Sequence, residues 1–160
     1  MTTRVAVISD THLPRGARRL PESCLEELRR ADAILHAGDI ASVAALEELR
    51  ALGPPVHAVL GNVDEPALAS VLPEELVVDL GGVEVGMRHI AVSEESLLER
   101  FPGCAAIVFG HSHLPVVERR GAIWLMNPGS PTERRRAPFH SMIVIRIGGG
   151  ELFPELLPLT

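Results

Sequence analysis

The chain contains no lysine and no tyrosine among its 160 residues. The first absence excludes Schiff-base catalysis and the lysine of a phosphate-binding P-loop, and the second excludes a tyrosine nucleophile. Cysteine is scarce. Cys24 and Cys104 stand alone without Cys-x-x-Cys spacing, so no thiolate metal site or redox pair is available, and both read as buried thiols of a reducing compartment. Aromatic residues make up only 3% of the chain, which leaves few platforms for stacking nucleobases. No stretch approaches the roughly 18 uninterrupted apolar residues that span a membrane. The start, Met1–Ile8, lacks the apolar core and cleavage site of a signal peptide. A net charge of −6 argues against a nucleic-acid or membrane-surface footprint. The expectation is a cytoplasmic protein, with residues 1–160 forming a single domain.

What is present is a regular alternation. Val5–Ile8 is a continuous apolar run, as expected of a strand buried on both faces. Pro21–Ala31 reads as a helix, with Pro at its start and Arg29 and Arg30 at its end. Ala33–His36 is a second strand, Ser42–Leu52 a second helix and Val56–Leu60 a third strand. Strand, helix, strand, helix, strand implies parallel strands joined by right-handed crossovers. The second half differs. Three expected hairpins turn at Gly81-Gly82, Arg119-Arg120-Gly121 and Gly148-Gly149-Gly150, and Ser93–Phe101 fits a helix capped by Ser93. This half reads as mostly antiparallel. The natural architecture is an α/β fold in which two sheets pack together and are covered by helices.

Polar residues follow the strand ends. Asp10 and His12 follow the first strand, Asp39 the second and Asn62 and Asp64 the third. His89 closes a strand of the first hairpin, and Gly110-His111-Ser112-His113 follows the apolar run Ala105–Phe109. If that run continues as a strand, His111 and His113 leave it on the same side. Ligands of open parallel sheets bind beyond the carboxyl ends of the strands, where these residues lie. With Asp64 read as a turn or supporting carboxylate, two carboxylates, one amide oxygen and four imidazoles make a mixed oxygen and nitrogen set. Such a set suits Mn²⁺, Fe²⁺, Co²⁺, Ni²⁺ or Zn²⁺ better than calcium or a soft metal. Seven groups exceed one tetrahedral ion and match two ions sharing a carboxylate. Two metals roughly 3.5–4 Å apart are a common clamp for phosphate ester hydrolysis, with a bridging hydroxide as nucleophile.

The ordered pattern Asp-x-His, Gly-Asp, Gly-Asn-x-Asp, His, Gly-His-x-His resembles the calcineurin-like metallophosphoesterase superfamily. It looks closest to small bacterial and archaeal phosphodiesterases of the YfcE type, and Asn127-Pro128-Gly129-Ser130 extends the likeness. The resemblance implies a four-layer α/β/β/α sandwich of two mixed sheets flanked by helices, and two divalent ions, Mn²⁺ first among them. It implies that Asp10, His12, Asp39 and His113 hold one metal. Asp39, Asn62, His89 and His111 would hold the other, with Asp39 bridging. The implied substrate is a small phosphate ester. Asn62 would also serve the chemistry, and Asp64 would support the ligands from behind. Two departures stand out. Val63 occupies a position where many members have a histidine proposed to protonate the leaving group or steady the phosphate. Ile90 follows His89 where members often have glycine.

Other polar groups have plainer readings. His36 reads as a hydrogen-bonded core histidine, and His57 and His140 as structural or exposed. Arg134-Arg135-Arg136 reads as a solvated charge run. Two alternatives to the phosphodiesterase stay open. One is a non-catalytic interaction scaffold, since a eukaryotic retromer subunit shares the fold with part of the metal set lost. The other is a nuclease, against which the charge and the few aromatics count. The apolar C-terminal strand leaves room for a homo-oligomer contact.

Overall fold

Continuous hydrophobic runs in the central strands dictate a layered protein, because each such strand then has two faces to bury. The computed structural model describes residues 2–160. In β1 (Thr3–Ile8), Val5 and Val7 point into one core, while Ala6 and Ile8 point into another. Parallel to β1 runs β2 (Ala33–His36), and beyond it β3 (Val56–Ala58). The crossovers are α1 (Glu22–Arg30) and α2 (Val43–Arg50). Ser42 caps α2 by accepting a hydrogen bond from the Ala45 amide at 3.1 Å. Pro21 starts α1 without a side-chain cap, so α1 depends on burial of Cys24 and Leu28 beneath it. Truncating Leu28 to alanine would cost about 2–5 kcal/mol.

Two further strands complete the first sheet from the far end of the chain. β9 (His140–Gly148) pairs antiparallel with β1, and β10 (Glu151–Leu159) pairs with β9, giving the order β10-β9-β1-β2-β3. The second sheet contains β4 (Glu75–Leu80), β5 (Val83–Arg88), β6 (Ala106–Val108), β7 (Val116–Arg120) and β8 (Ile123–Asn127). Its order is β4-β5-β6-β8-β7. Before β4, a single 3-10 turn at Pro66–Ser70 buries Leu68, an element too short for a periodic signal. The three hairpins form as expected, yet β5, β6 and β8 run parallel to one another. The second half is therefore mostly antiparallel, as expected, around a parallel centre of β5, β6 and β8.

The two sheets meet through Val5, Val7, Leu35, Ile143 and Ile145 on one side and Val85, Met87, Val108 and Met126 on the other. On the outer face of the first sheet, Cys24 and Leu28 of α1 and Leu49 of α2 cover Ile8, Ile34 and Val144. On the outer face of the second, α3 (Glu94–Arg100) places Leu97 over Ile107 and Leu125, with Phe101 just beyond its end. Helices, sheet, sheet and helix form the four-layer α/β/β/α sandwich. Among the described residues no helix is long and apolar enough to cross a membrane. Both cysteines are buried and free.

Candidate metal centre

The loops after β1 and β2 are zipped to each other past the strand ends. The amides of Asp10, His12 and Leu13 donate to the carbonyls of Gly38, Asp39 and Ile40 at 2.9, 3.0 and 3.1 Å. This ladder carries two carboxylates and an imidazole to one edge. Asp10, His12 and Asp39 sit there on left-handed backbone, with φ of 57°, 48° and 60°. Non-glycine residues adopt that region rarely and mostly where the surroundings impose it. His111 and His113 share the feature, with φ of 72° and 63°. The pair does not leave β6 as alternate strand residues. β6 ends at Val108, and the Ser112 amide donates back to the Gly110 carbonyl at 2.9 Å, closing a three-residue turn around His111. The imidazoles consequently diverge: His113 is buried against Asp10, while His111 lies exposed toward Asn62.

Close backbone approach sets the remaining geometry. A Cβ on Gly61 would lie 2.1 Å from Asp39 Oδ1, and one on Gly110 would lie 2.1 Å from Ser9 Oγ. Only glycine lets these loops touch the two carboxylates.

Each carboxylate has one oxygen held by the protein and one turned inward. Asp10 Oδ2 accepts hydrogen bonds from Ser9 Oγ at 2.6 Å and the His111 amide at 3.0 Å. Asp10 Oδ1 is buried without a hydrogen-bond partner and faces His113 Nε2 at 3.4 Å and His12 Nε2 at 3.7 Å. Asp39 Oδ1 accepts from the Val63 amide at 3.0 Å. Asp39 Oδ2 lies 3.1 Å from His89 Nε2 and 3.4 Å from His12 Nε2, between the two halves of the cluster. Asn62 Oδ1 stands 3.0 Å from His89 Nε2 and 3.1 Å from His111 Nδ1.

The outer ring nitrogens are engaged elsewhere, which orients the inner ones. His89 Nδ1 donates to the Ala37 carbonyl at 2.7 Å, and His113 Nδ1 donates to the Glu133 carbonyl. In the neutral tautomer this leaves an Nε2 lone pair on each ring, aimed at carboxylate and amide oxygens. Lone pairs facing lone pairs require either protons or a cation. Two groups have the spacing to hold one: Asp10 with His12 and His113, and Asp39 with His89 and His111. Asp10 Oδ1, His12 Nε2 and His113 Nε2 are buried and unpartnered, an arrangement that costs free energy unless something fills it. The donor set fits a divalent ion in each half.

The charges follow from this crowding. Burial alone would push the Asp10 carboxyl up, but His113, His12 and His89 together hold it well below the usual carboxylate range. Asp39 behaves alike, with burial outweighed by His12 and His89. Asp10 and then Asp39 push His12 up to about 9. Burial opposes charge on His89, yet Asp39 and Asp10 raise it above its ordinary value.

Asp64 does not join the cluster. Its two oxygens accept from the Ala41 and Gly61 amides, both at 2.7 Å, so it ties the β3 loop to the turn after Asp39. His36 is fully buried and neutral, with burial pushing it down to about 3. It accepts from the Gly38 amide at 3.1 Å and meets Thr11 Oγ1 at 3.0 Å, pinning both loops from behind. Other supports went unassigned in the sequence. Ser130 Oγ donates to the Asp10 carbonyl at 2.8 Å, and buried Asn127 donates to the Gly110 carbonyl at 3.1 Å. Glu133 lies 3.8 Å from His12 Nδ1, between it and Arg15 and Arg18. Serine and glutamate in loops carry no pattern that distinguishes such supports from surface residues.

Residues after β1, β2, β5 and β6 thus gather at one edge as two candidate metal-binding groups. Residues 3–150 match the calcineurin-like phosphoesterase superfamily domain, and the chain belongs to that superfamily. A probable metallophosphoesterase of Methanothermobacter thermautotrophicus is 33% identical, with 96% of this chain and 91% of that protein covered. Among solved structures, Vps29 of Chaetomium thermophilum superposes with a TM-score of 0.81 at 20% identity, covering 99% of this chain and 98% of that one. A structure described as a novel archaeal phosphodiesterase superposes with a TM-score of 0.76 at 18% identity, covering 97% of this chain and 100% of that one. The last two likenesses are of fold.

Proposed function

We propose that this chain is a metal-dependent phosphodiesterase acting on a small phosphate ester. The observation that carries the reading is the buried, unpartnered trio Asp10 Oδ1, His12 Nε2 and His113 Nε2 beside a carboxylate oxygen of Asp39 that faces both halves. Asp10, His12, Asp39 and His113 would hold one ion, and Asp39, Asn62, His89 and His111 the other. Such ions, when bound, acidify water and offset charge on phosphoryl oxygens. The protein's own contribution is orientation. Ser9 and the His111 amide fix Asp10, the Val63 amide fixes Asp39, and the Ala37 and Glu133 carbonyls fix the rings of His89 and His113. Asn62, at the exposed side, would meet the substrate phosphate. The archaeal phosphodiesterase of the same fold supports the diester reading.

The first test is metal analysis of the purified protein, followed by hydrolysis of an activated aryl phosphodiester with Mn²⁺. We expect two ions per chain at saturation and turnover that depends on them. Unchanged hydrolysis in Asp39→Asn would overturn the shared-carboxylate mechanism. Binding of less than one ion per chain in excess Mn²⁺ would favour a second reading, an interaction scaffold, which the likeness of fold to Vps29 keeps in view. The retention of all seven ligating side chains weighs for catalysis. The separate, buried thiols fit a reducing, cytoplasmic setting.

A further inference from the structure

We propose that the cleft between α1, α2 and the loop from Leu13 to Leu20 is a second binding site, for an amphipathic monoanion such as a medium-chain carboxylate, and that Arg18 and Glu133 couple its occupancy to the Asp10, His12 and His113 group. This goes beyond the phosphodiesterase reading and concerns a ligand other than its substrate. The cleft follows from how the first sheet is covered. α1 and α2 lie on one face of it and leave a cavity of about 570 Å³ between them, with the 13–20 loop as a third wall. Small-molecule sites span roughly 300–1,000 Å³ and are mostly apolar with a few polar groups. Leu13, Leu20, Leu25, Leu49 and Leu52 supply the apolar walls. All but Leu49 are only half-buried, so their apolar surface stays open to a ligand.

Charge at the cavity is unbalanced toward the positive. Arg18 and Arg19 both line it. Arg18 Nη1 reaches Glu133 Oε2 at 3.4 Å, but Arg15 Nη1 takes the other oxygen of that carboxylate at 3.3 Å, so two guanidinium groups share one negative charge. Arg19 is exposed and forms no ion pair among the described residues. Of the two glutamates in the lining, Glu22 pairs with Arg29 at 3.0 Å. Glu48 alone is left to oppose Arg19 and the surplus on Arg15 and Arg18. Apolar walls with one positive charge in surplus suit an apolar body that carries one negative group, which a guanidinium fork can bind at two points.

The cavity also abuts the candidate metal centre. Thr11, between Asp10 and His12 in the chain, belongs to its lining. Arg18 makes the second connection. Glu133, the carboxylate it holds, stands 3.8 Å from His12 Nδ1, and the Glu133 carbonyl accepts from His113 Nδ1. A ligand carboxylate that draws Arg18 away leaves the Glu133 side chain freer to accept from His12. A carboxylate behind a ligating imidazole raises the basicity of that ring. The ligand's own negative charge, placed near a cation site, acts in the same direction. Occupancy of the cavity should therefore tighten an ion held by Asp10, His12 and His113, and by reciprocity that ion should tighten the ligand.

Calorimetry on the Mn²⁺-loaded protein with octanoate, octyltrimethylammonium and acetate tests the site. We expect octanoate to bind saturably, one per chain, and about tenfold more tightly than the cation. Acetate offers the same head to the metal centre without the apolar body, and it should not bind measurably. Ala44 lies exposed on α2 and lines the cavity. Ala44→Trp therefore fills the cleft from the surface and should weaken octanoate by about tenfold or more. Arg19→Glu should reverse the preference between anion and cation. Circular dichroism checks that both variants fold. In a metal titration, saturating octanoate should strengthen Mn²⁺ at its tighter position by about twofold to threefold, and Arg18→Gln should abolish that gain. Absence of saturable octanoate binding, or binding indifferent to Ala44→Trp, would overturn the site. Equal affinity for anion and cation would overturn the ligand class. An Mn²⁺ affinity unmoved by octanoate would overturn the coupling. Hydrolysis by the native protein and by Asp39→Asn is untouched by any of these results, so failure here and failure of the phosphodiesterase reading are distinguishable.

Discussion

The two halves of the centre are built from similar residues and live in different surroundings. Asp10, His12 and His113 are all buried, and three of their polar atoms have no partner. Asp39 and His89 are buried too, but His111 and Asn62 face solvent and make hydrogen bonds to each other. The closed half is poised for a cation, since only a cation or protons relieve its crowded acceptors. The open half can satisfy itself with water and internal hydrogen bonds, and in the proposed function it would admit the substrate. We expect the closed half, with its unpartnered acceptors, to fill first and the open half to exchange ligands more readily.

The largest effect should come from removing what the halves share. Asp39→Asn should lower turnover by about a thousandfold or more, because charge at both positions is weakened together. Steady-state hydrolysis of an aryl diester checks this. Next, His113→Ala should weaken the tighter metal by about a hundredfold, whereas His111→Ala should weaken only the looser one, by about tenfold, as judged from the usual value of ligand-level contacts. Metal titration would blur the comparison if both variants lost the same ion. A smaller change is expected for Glu133→Gln, which leaves the backbone carbonyl that orients His113 in place. It removes only the carboxylate 3.8 Å from His12, so a loss of about threefold in affinity for the tighter ion is expected.

The last prediction concerns the metal-free protein. His12, raised to about 9 by Asp10 and Asp39, is held protonated in the folded state more strongly than in the unfolded chain, where it ionises near 6.5. Its contribution to stability is therefore complete below about pH 6.5 and is lost as the pH rises through about 9. In chelator, the melting temperature should fall by a few degrees across that window. With Mn²⁺ bound, the slope should flatten, since a ligating ring has already lost its proton. Identical slopes with and without metal would show that His12 is not at the closed half's ion.

Much of this was legible in the chain because it was local. Apolar runs ending in Asp10, Asp39 and Asn62 announce strands and their carboxyl ends, and helices between them force a parallel arrangement. The helix caps Ser42 and Ser93 act as their residue types suggest. What was not legible depends on distant partners. The run Ala105–Phe109 suggests that His111 and His113 leave a strand on one side, yet both sit on left-handed backbone in a loop, and only the family resemblance assigned them to different halves. That conformation is unfavourable in isolation and persists because Asp10, Asn62, Asn127 and Glu133 hold the loop from several sides. Likewise, the hairpin sequence of β7 and β8 could not reveal that β8 would lie parallel to β6.

The sequence by itself determined the strands, the helices and the ligating residue types, because periodicity, capping and side-chain chemistry act over a few residues. Tertiary structure decided three things. It returned β9 from the end of the chain to pair with β1, it laid the carboxyl ends of both sheets along one edge, and it buried one half of the centre while leaving the other open. Those outcomes depend on how two apolar faces close on each other, a choice settled by the whole core and by no single segment.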